Sequence, residues 1–121
     1  MKKVLVIEDN ADNLRLITYA LKRSGYDVVS AITGEEGVSL ALRLGPFFII
    51  VDINLPGIDG LETTRRIRNS EAGRKVPIIA ITSYAMQGDM ESILAAGCNA
   101  YFEKPIDPLT IMEKIHTVIK K

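Results

Sequence analysis

Near the start of the chain stands the stretch KVLVIED, residues 3–9, in which an unbroken apolar run ends in two acidic residues. Similar apolar runs, rich in valine and isoleucine, occupy residues 47–51 and 76–81. Because apolar and polar side chains do not alternate in these three runs, each predicts a strand that is covered on both faces. The more mixed segments at residues 27–31 and 99–103 are typical of strands nearer a sheet edge.

Segments with helical periodicity separate these strands. The first helix is predicted from the apolar positions Leu14, Ile17 and Leu21, with a stop at Ser24-Gly25. The other helices are predicted after a capping box at residues 33–36 up to Gly45-Pro46, at residues 61–70, at residues 86–96, and from an Asp107 N-cap with Pro108 at the first helical position. Strand and helix thus alternate five times, which predicts an α/β fold: a doubly wound parallel sheet of five strands with helices on both faces. The three most apolar strands belong at the centre, which gives the order 2-1-3-4-5.

The composition sets limits on the function. The chain has 121 residues, 47% of them hydrophobic, and its 15 basic and 15 acidic residues leave no net charge. This length fits one domain, residues 1–121, and the charge balance argues against a dedicated nucleic-acid binder. The longest apolar run has five residues, so no membrane span is expected. The lone Cys98 forbids an internal disulfide and is compatible with the cytoplasm.

Chemically active side chains follow four of the predicted strands. Glu8 and Asp9 follow the first strand, Asp52 the third, Thr82 the fourth and Lys104 the fifth. Ligands of doubly wound sheets bind at the carboxyl ends of the strands, so these side chains are expected to meet. Three carboxylates at one place call for a cation, and an all-oxygen ligand set favours Mg²⁺. Taken singly, each acid could instead be a solvated loop charge or a helix cap, as Asp9 could be for the first helix.

Four motifs together resemble a response regulator receiver domain over the whole chain: VLVIEDN at residues 4–10, DINLPGIDG at 52–60, PIIAITS at 77–83 and AYFEKP at 100–105. The resemblance implies a flavodoxin-like fold. It also implies that Asp52 accepts a phosphoryl group from a phosphohistidine and that Thr82 and Lys104 bind the phosphoryl oxygens. In such a domain, Mg²⁺ or Mn²⁺ is held by Glu8, Asp9, Asp52 and the backbone carbonyl of Asn54. The acidic pair is Glu-Asp instead of the commoner Asp-Asp.

The resemblance further implies a switch that changes a partner-binding face. That face comprises the fourth helix, the fifth strand and the fifth helix, and its switch residues are Thr82, Tyr84, Tyr101 and Pro105. Tyr84 is expected to slow the access of water to the acyl phosphate. The expected partners are a histidine kinase or histidine phosphotransfer protein and a downstream target protein. Nucleic acid and membrane are not expected as partners, and the protein is expected to be a cytoplasmic monomer or weak dimer, a signalling phosphoacceptor and not an enzyme.

Other functions remain open at this point. A nucleotide- or flavin-binding enzyme would need a glycine- or hydroxyl-rich loop after the first strand, where this chain is acidic. A haloacid-dehalogenase-type phosphatase would need a second aspartate at the position of Asn54. A receiver used only as a scaffold is disfavoured, because every chemical position is filled. No output domain is expected, although the chain could be a receiver cut from a hybrid kinase or a transcription regulator.

Two further patterns lie on the predicted third and fourth helices. Five basic residues cluster around the end of the third helix, which predicts a solvated helix end or, alternatively, a docking site for an anion or a partner: Arg65, Arg66, Arg68, Arg74 and Lys75. Met86 and Met90 are four positions apart in the fourth helix, so one of them is expected to pack inward.

Overall fold

A computed structural model describes residues 2–83 and 87–119 of the chain. Five strands alternate with five helices along it. Their bounds are β1 Lys3–Ile7, α1 Ala11–Arg23, β2 Asp27–Ala31, α2 Gly34–Leu44, β3 Phe48–Asp52, α3 Gly60–Arg68, β4 Ile78–Thr82, α4 Gln87–Ala96, β5 Ala100–Glu103 and α5 Ile111–Ile119. The predicted α/β class is therefore confirmed.

The strands form one parallel sheet in the order β2-β1-β3-β4-β5, as predicted from the apolar runs. Ile7 pairs with Val51, Asp52 with Ile81 and Thr82 with Glu103. Four neighbouring strands therefore end at nearly the same level. Because the strands are parallel, the residues that follow them emerge at a single edge of the sheet.

Alternate side chains of the central strands fill two separate cores. On one face, Val6, Ile50 and Ile81 pack with buried residues of α1 and α5. On the other face, residues such as Leu5 and Ile49 pack with buried residues of α2, α3 and α4. Because both faces are covered, β3 and β4 are buried at every position, which explains their unbroken apolar sequences.

Several helix and strand boundaries differ from the prediction. The third and fourth strands begin and end one or two residues later, and the predicted helix start at Met86 lies outside the described residues. The Asp107 side chain accepts a hydrogen bond from the Leu109 N–H at 2.9 Å, and its carbonyl accepts one from the Thr110 N–H at 3.2 Å. These bonds close a turn over residues 108–110, so α5 starts at Ile111 and not beside Pro108.

The caps of the first three helices come from short polar side chains. Asn10 caps α1, accepting a hydrogen bond from the Asn13 N–H, so the alternative role for Asp9 as a cap is wrong. Thr33 caps α2 as the capping-box spacing predicts, and Asp59 caps α3. Such caps satisfy backbone donors that a helix leaves unpaired at its first turn. These caps determine the residues at which α1, α2 and α3 begin. The loops before these helices lie at the edge of the sheet where the strands end, which is called the site edge below.

Candidate functional site

Asp52, the last residue of β3, lies at the centre of the site edge. Its side chain is buried, with 3% of its surface exposed. The Asn54 N–H donates to Oδ1 at 2.9 Å, and the Lys104 ammonium donates to Oδ2 at the same distance. Both carboxylate oxygens therefore have a donor, and the buried charge is matched by an opposite one.

Lys104 reaches the site from the residue after β5. Its nitrogen lies 2.9 Å from Asp52 Oδ2 and 3.8 Å from Glu8 Oε1. Its backbone N–H donates to the Thr82 carbonyl at 2.9 Å, which continues the pairing of β4 and β5. The following peptide bond, to the exposed Pro105, is cis. The Lys104 side chain is thus aimed by its strand at two carboxyl groups.

Glu8, Asp9 and Asp52 form a cluster of acids. One carboxylate oxygen from each lies within 4.8 Å of the others, and Glu8 and Asp52 are buried whereas Asp9 is exposed. Glu8 Oε2 accepts a hydrogen bond from the Asn10 N–H at 3.2 Å. Glu8 Oε1 is buried and has no hydrogen-bond partner among residues 2–83 and 87–119. The Lys104 ammonium, 3.8 Å away, is the opposite charge near this oxygen, which leaves it able to accept a further ligand.

The two buried acids differ in proton affinity. Burial and the adjacent Asp52 carboxylate raise the pKa of Glu8 to about 8, despite Lys104 nearby. Burial also acts to raise the pKa of Asp52. Contact with the Glu8 carboxyl and hydrogen bonds from Asn54 and Lys104 outweigh it and hold the pKa of Asp52 below its ordinary 3.8. At neutral pH and without a cation, the pair carries its proton on Glu8 and leaves Asp52 ionised.

The donor set fits a hard divalent cation. It consists of carboxylate oxygens, one of them the unpartnered Glu8 Oε1, and it opens to solvent at Asp9. Mg²⁺ is usually bound by one or two carboxylates while it keeps several waters, so an exposed side suits it. A bound cation would also remove the conflict between the two buried acids, because both could then ionise.

Thr82 is the last residue of β4 and is buried beside the acids, at 3% exposure. It lines a cavity of about 220 Å³ between the sheet and α4, together with Asn54 and Asp89. Thr82 thus lies between the end of β3, which carries Asp52, and α4. The position of Thr82 at the site edge was predicted from the sequence, whereas the cavity was not.

The predicted switch residues can be located in part. Tyr101 is half-buried on β5, packs against the core below α4, and donates its hydroxyl to the sulfur of Met90. Of the two methionines noted in the sequence, Met90 is half-buried and contacts Tyr101, whereas Met86 lies outside the described residues. Tyr84 lies outside the described residues. Pro105 is exposed and lies two residues after the end of β5.

Two residues have structural roles that the sequence patterns did not indicate, Gly60 beside the site and Arg68 at the opposite edge of the sheet. Gly60 lies so close to the end of β3 that a Cβ atom would stand 2.4 Å from the Asp52 carbonyl oxygen. Gly60 is the first residue of α3, directly after the Asp59 cap, and a glycine at this position is the signal that could have revealed the close approach. Arg68 was expected on a solvated helix end, but it is half-buried and hydrogen-bonded to the backbone of Gly73 and Gly97.

Comparison with known proteins gives a consistent family signal. The family model described as the response regulator receiver domain matches residues 4–116. The chain is similar to the polar-differentiation response regulator DivK of Brucella ovis, with 38% identity over 118 residues that cover 98% of this chain and 96% of the relative. DivK of Brucella anthropi is 37% identical over the same shares of both chains.

Solved structures show the same fold. The receiver domain of the sensor histidine kinase PA1611 from Pseudomonas aeruginosa PAO1 is 38% identical, with a TM-score of 0.91 over 99% of this chain and 98% of that one. That structure has a magnesium ion coordinated in its active-site cleft. The chemotaxis response regulator CheY4 of Vibrio cholerae is 26% identical, with a TM-score of 0.92 over 98% of each chain. None of the helices within residues 2–83 and 87–119 combines the length and the apolar sequence of a membrane span.

Proposed function

The chain belongs to the response regulator receiver family of two-component signalling, and we propose that its Asp52 accepts a phosphoryl group from a phosphohistidine of a partner protein. The environment of the Asp52 carboxylate carries this proposal. It is buried, ionised at neutral pH, hydrogen-bonded to Lys104 at 2.9 Å and clustered with two further acids. A carboxylate held in this way is a positioned nucleophile with charge compensation next to it.

In the proposed reaction, a carboxylate oxygen of Asp52 attacks the phosphorus atom. A P–O bond forms, the P–N bond to the imidazole breaks, and its electron pair stays on the imidazole nitrogen. The product is an acyl phosphate, which water later hydrolyses to restore the carboxylate. Phosphoryl transfer depends on positioning and charge neutralisation more than on covalent assistance, so one ammonium and one hydroxyl are useful partners. Lys104 is proposed to neutralise phosphoryl oxygens and Thr82 to donate a hydrogen bond to them.

A divalent cation is proposed as the cofactor. Its ligands would be Glu8, Asp9, Asp52 and the backbone carbonyl of Asn54, and Mg²⁺ and Mn²⁺ both suit these oxygens. When bound, the cation supplies positive charge beside the phosphoryl oxygens. The unpartnered Glu8 Oε1 and the magnesium ion of the PA1611 receiver domain support this assignment.

The proposed partners follow from the family. A histidine kinase or a histidine phosphotransfer protein would donate the phosphoryl group in the cytoplasm. A downstream target protein would recognise the face formed by α4, β5 and α5, where Tyr101 contacts Met90 and Pro105 is exposed. The charge balance of the chain supports protein partners over nucleic acid.

Incubation with acetyl phosphate and Mg²⁺, followed by intact-mass measurement, tests the proposal. The wild-type protein should gain the mass of one phosphoryl group, and hydroxylamine should remove it because an acyl phosphate is labile. Asp52→Asn should gain none. Asp59→Asn is the matched control, since asparagine caps a helix as well as aspartate does and the residue is exposed. No mass gain in the wild type, or an equal gain in Asp52→Asn, would favour the scaffold alternative.

A further inference from the structure

The basic cluster around the end of α3 contains both paired and unpaired charges. Arg65 Nη1 lies 3.4 Å from Glu62 Oε1, and Arg66 Nε lies 2.9 Å from Glu62 Oε2. The guanidinium of Arg68 donates three hydrogen bonds of 2.9 Å each, to two backbone carbonyls and to Asn99 Oδ1. These three arginines are therefore already matched by partners within the protein.

Arg74 and Lys75 differ from these arginines. Both lie in the loop between α3 and β4, and both are exposed. Within residues 2–83 and 87–119, neither side chain forms an ion pair or a hydrogen bond. The loop also carries one acid, Glu71, which is exposed and pairs with no cation in that part of the chain. Two cations against one acid give the loop a positive charge that the protein itself does not match.

A cleft of about 280 Å³ lies beside this loop, at the edge of the sheet where β4 and β5 begin. This edge is opposite the site edge. Lys75, Asn99 and Thr117 contribute polar groups to the lining of the cleft. The other lining residues are apolar: Pro77, Val118 and Ile119. This basal cleft thus combines an unpaired lysine with an apolar surface.

Asn99 adds further hydrogen-bond donors to the basal cleft. Its Oδ1 accepts from the Ile78 N–H at 2.8 Å and from Arg68 Nη2 at 2.9 Å, so both bonds fix the orientation of the amide. The remaining polar atom of this side chain is Nδ2, which only donates. The Lys75 ammonium also has donors and no acceptor. The cleft therefore favours a ligand that brings acceptors with negative charge, such as carboxylates.

We propose that the basal cleft is a docking site for an acidic segment of a partner protein. Carboxylates of that segment contact Arg74 and Lys75, and an apolar side chain of the same segment lies against Val118. Complementary charge gives such a contact its specificity, and the apolar surface adds affinity. Because the cleft and Asp52 lie at opposite edges of the sheet, a partner docked here leaves the acidic cluster accessible. Docking is therefore independent of the state of Asp52.

A nuclear magnetic resonance titration of the isotope-labelled protein tests this proposal. The probe is a peptide of four glutamates around one central leucine. Amide chemical shifts should change over residues 74–76, at Asn99 and over residues 117–119, and the size of the changes against peptide concentration gives Kd. The same peptide with serine in place of leucine should bind about threefold to tenfold more weakly, the effect of burying part of a leucine side chain. Asp52→Asn should bind the leucine peptide with the wild-type Kd.

Three variants test the contribution of charge. Arg74→Gln and Lys75→Gln should each raise Kd about twofold to fivefold, the range for one exposed ion pair. The double variant should raise it further. Glu71→Gln should instead lower Kd by up to about fivefold, because it removes the acid that repels the peptide. Added salt should weaken binding to the wild type, since these charges are exposed to solvent.

The double variant Arg65→Gln/Arg66→Gln is the matched control. It removes the same amount of positive charge from the neighbouring helix, but both arginines already contact Glu62. Its Kd should stay at the wild-type value. Equal weakening by this control, equal binding of the leucine and serine peptides, or unchanged shifts over residues 74–76 would overturn the proposal. Binding of a single-stranded oligonucleotide of the same charge with equal or higher affinity would also overturn it.

Discussion

The ammonium nitrogen of Lys104 lies 2.9 Å from Oδ2 of Asp52, although the two residues are 52 positions apart in the chain. The lysine side chain has 16% of its surface exposed and that of Asp52 3%, so the pair is shielded from most of the solvent. Opposite charges at this distance in such surroundings interact strongly. The ion pair with Lys104 therefore fixes the position of Asp52 Oδ2. It also places a positive charge where negative charge would accumulate.

Replacing Lys104 with methionine should slow phosphorylation by acetyl phosphate about 10²-fold. The side chain keeps most of its apolar volume but no longer neutralises charge beside Asp52, and the loss of one preorganised charge stabiliser typically has an effect of this size. The rate is measured by intact mass against time. Lys75→Met, which changes an exposed lysine far from the site, should phosphorylate at the wild-type rate. Equal rates for the two variants would contradict the role proposed for Lys104.

The stability of the metal-free protein should fall as the pH rises toward about 8. Burial and Asp52 raise the pKa of Glu8 from its ordinary 4.5 to about 8. The folded state thus binds a proton that the unfolded state releases, and the resulting stabilisation is complete below pH 4.5 and lost as the pH passes through about 8. Urea unfolding in EDTA across this range measures the slope. Glu8→Gln should remove most of the slope, because the amide does not titrate.

A wild-type stability that stays constant over the same range would show that Glu8 titrates at its ordinary pKa. Excess Mg²⁺ provides a second test of the direction in which stability changes with pH. The cation favours the ionised form of Glu8, so the fall in stability toward high pH should disappear when Mg²⁺ is present.

Much of the fold follows from the sequence because the relevant signals are local. Apolar runs such as residues 47–51 identify the buried strands, and their ranking gives the strand order. The parallel arrangement then brings Asp9 and Asp52 to one edge, where their oxygens do lie within 4.8 Å of each other. The register needed no separate prediction, since the carboxyl ends of parallel strands meet at one edge.

The remaining features depend on contacts between distant segments. Arg68 looks like part of a solvated basic cluster, because its partners Gly97 and Asn99 are 29 and 31 residues away. Likewise, no pattern around Glu8 indicates that it is buried while Asp9 is exposed, a difference set by the side-chain alternation at the end of β1. The start of α5 was missed because the hydrogen bonds of Asp107 form a turn that sequence alone cannot tell from a helix cap.

Mg²⁺ should stabilise the folded protein through Asp9. At a concentration about 100 times Kd, a ligand that binds only the folded state adds about 2.7 kcal/mol to the free energy of unfolding. Asp9→Asn should abolish this gain and leave the metal-free stability close to wild type, because the residue is exposed. Thermal unfolding with Mg²⁺ and with EDTA gives both values. Asp12→Asn, at an exposed acid in the first turn of α1, should respond to Mg²⁺ as the wild type does. An equal response of both variants would exclude Asp9 as a ligand.

Gly60→Ala should disturb the site through the backbone of Asp52 and Ile53. The new Cβ atom would stand 2.4 Å from the Asp52 carbonyl oxygen and 2.7 Å from the Ile53 Cα, and backbone atoms cannot move aside as a flexible side chain can. The loop between β3 and α3 must therefore shift, which should cost about 1–3 kcal/mol of stability, the usual range for overpacking. Because the shift displaces Asp52 relative to Lys104, phosphorylation by acetyl phosphate should also slow.

Gly25→Ala separates the two effects of the Gly60 substitution. Gly25 has a φ of +91°, and a Cβ atom added there would meet no neighbour within 4 Å, so alanine adds backbone strain of about 1–2 kcal/mol without a clash. Urea unfolding should thus show both variants destabilised, whereas only Gly60→Ala should lose phosphorylation rate. If the rate falls in proportion to stability in both, the close approach of Gly60 to Asp52 has no specific role, and the site tolerates movement of the loop that follows β3.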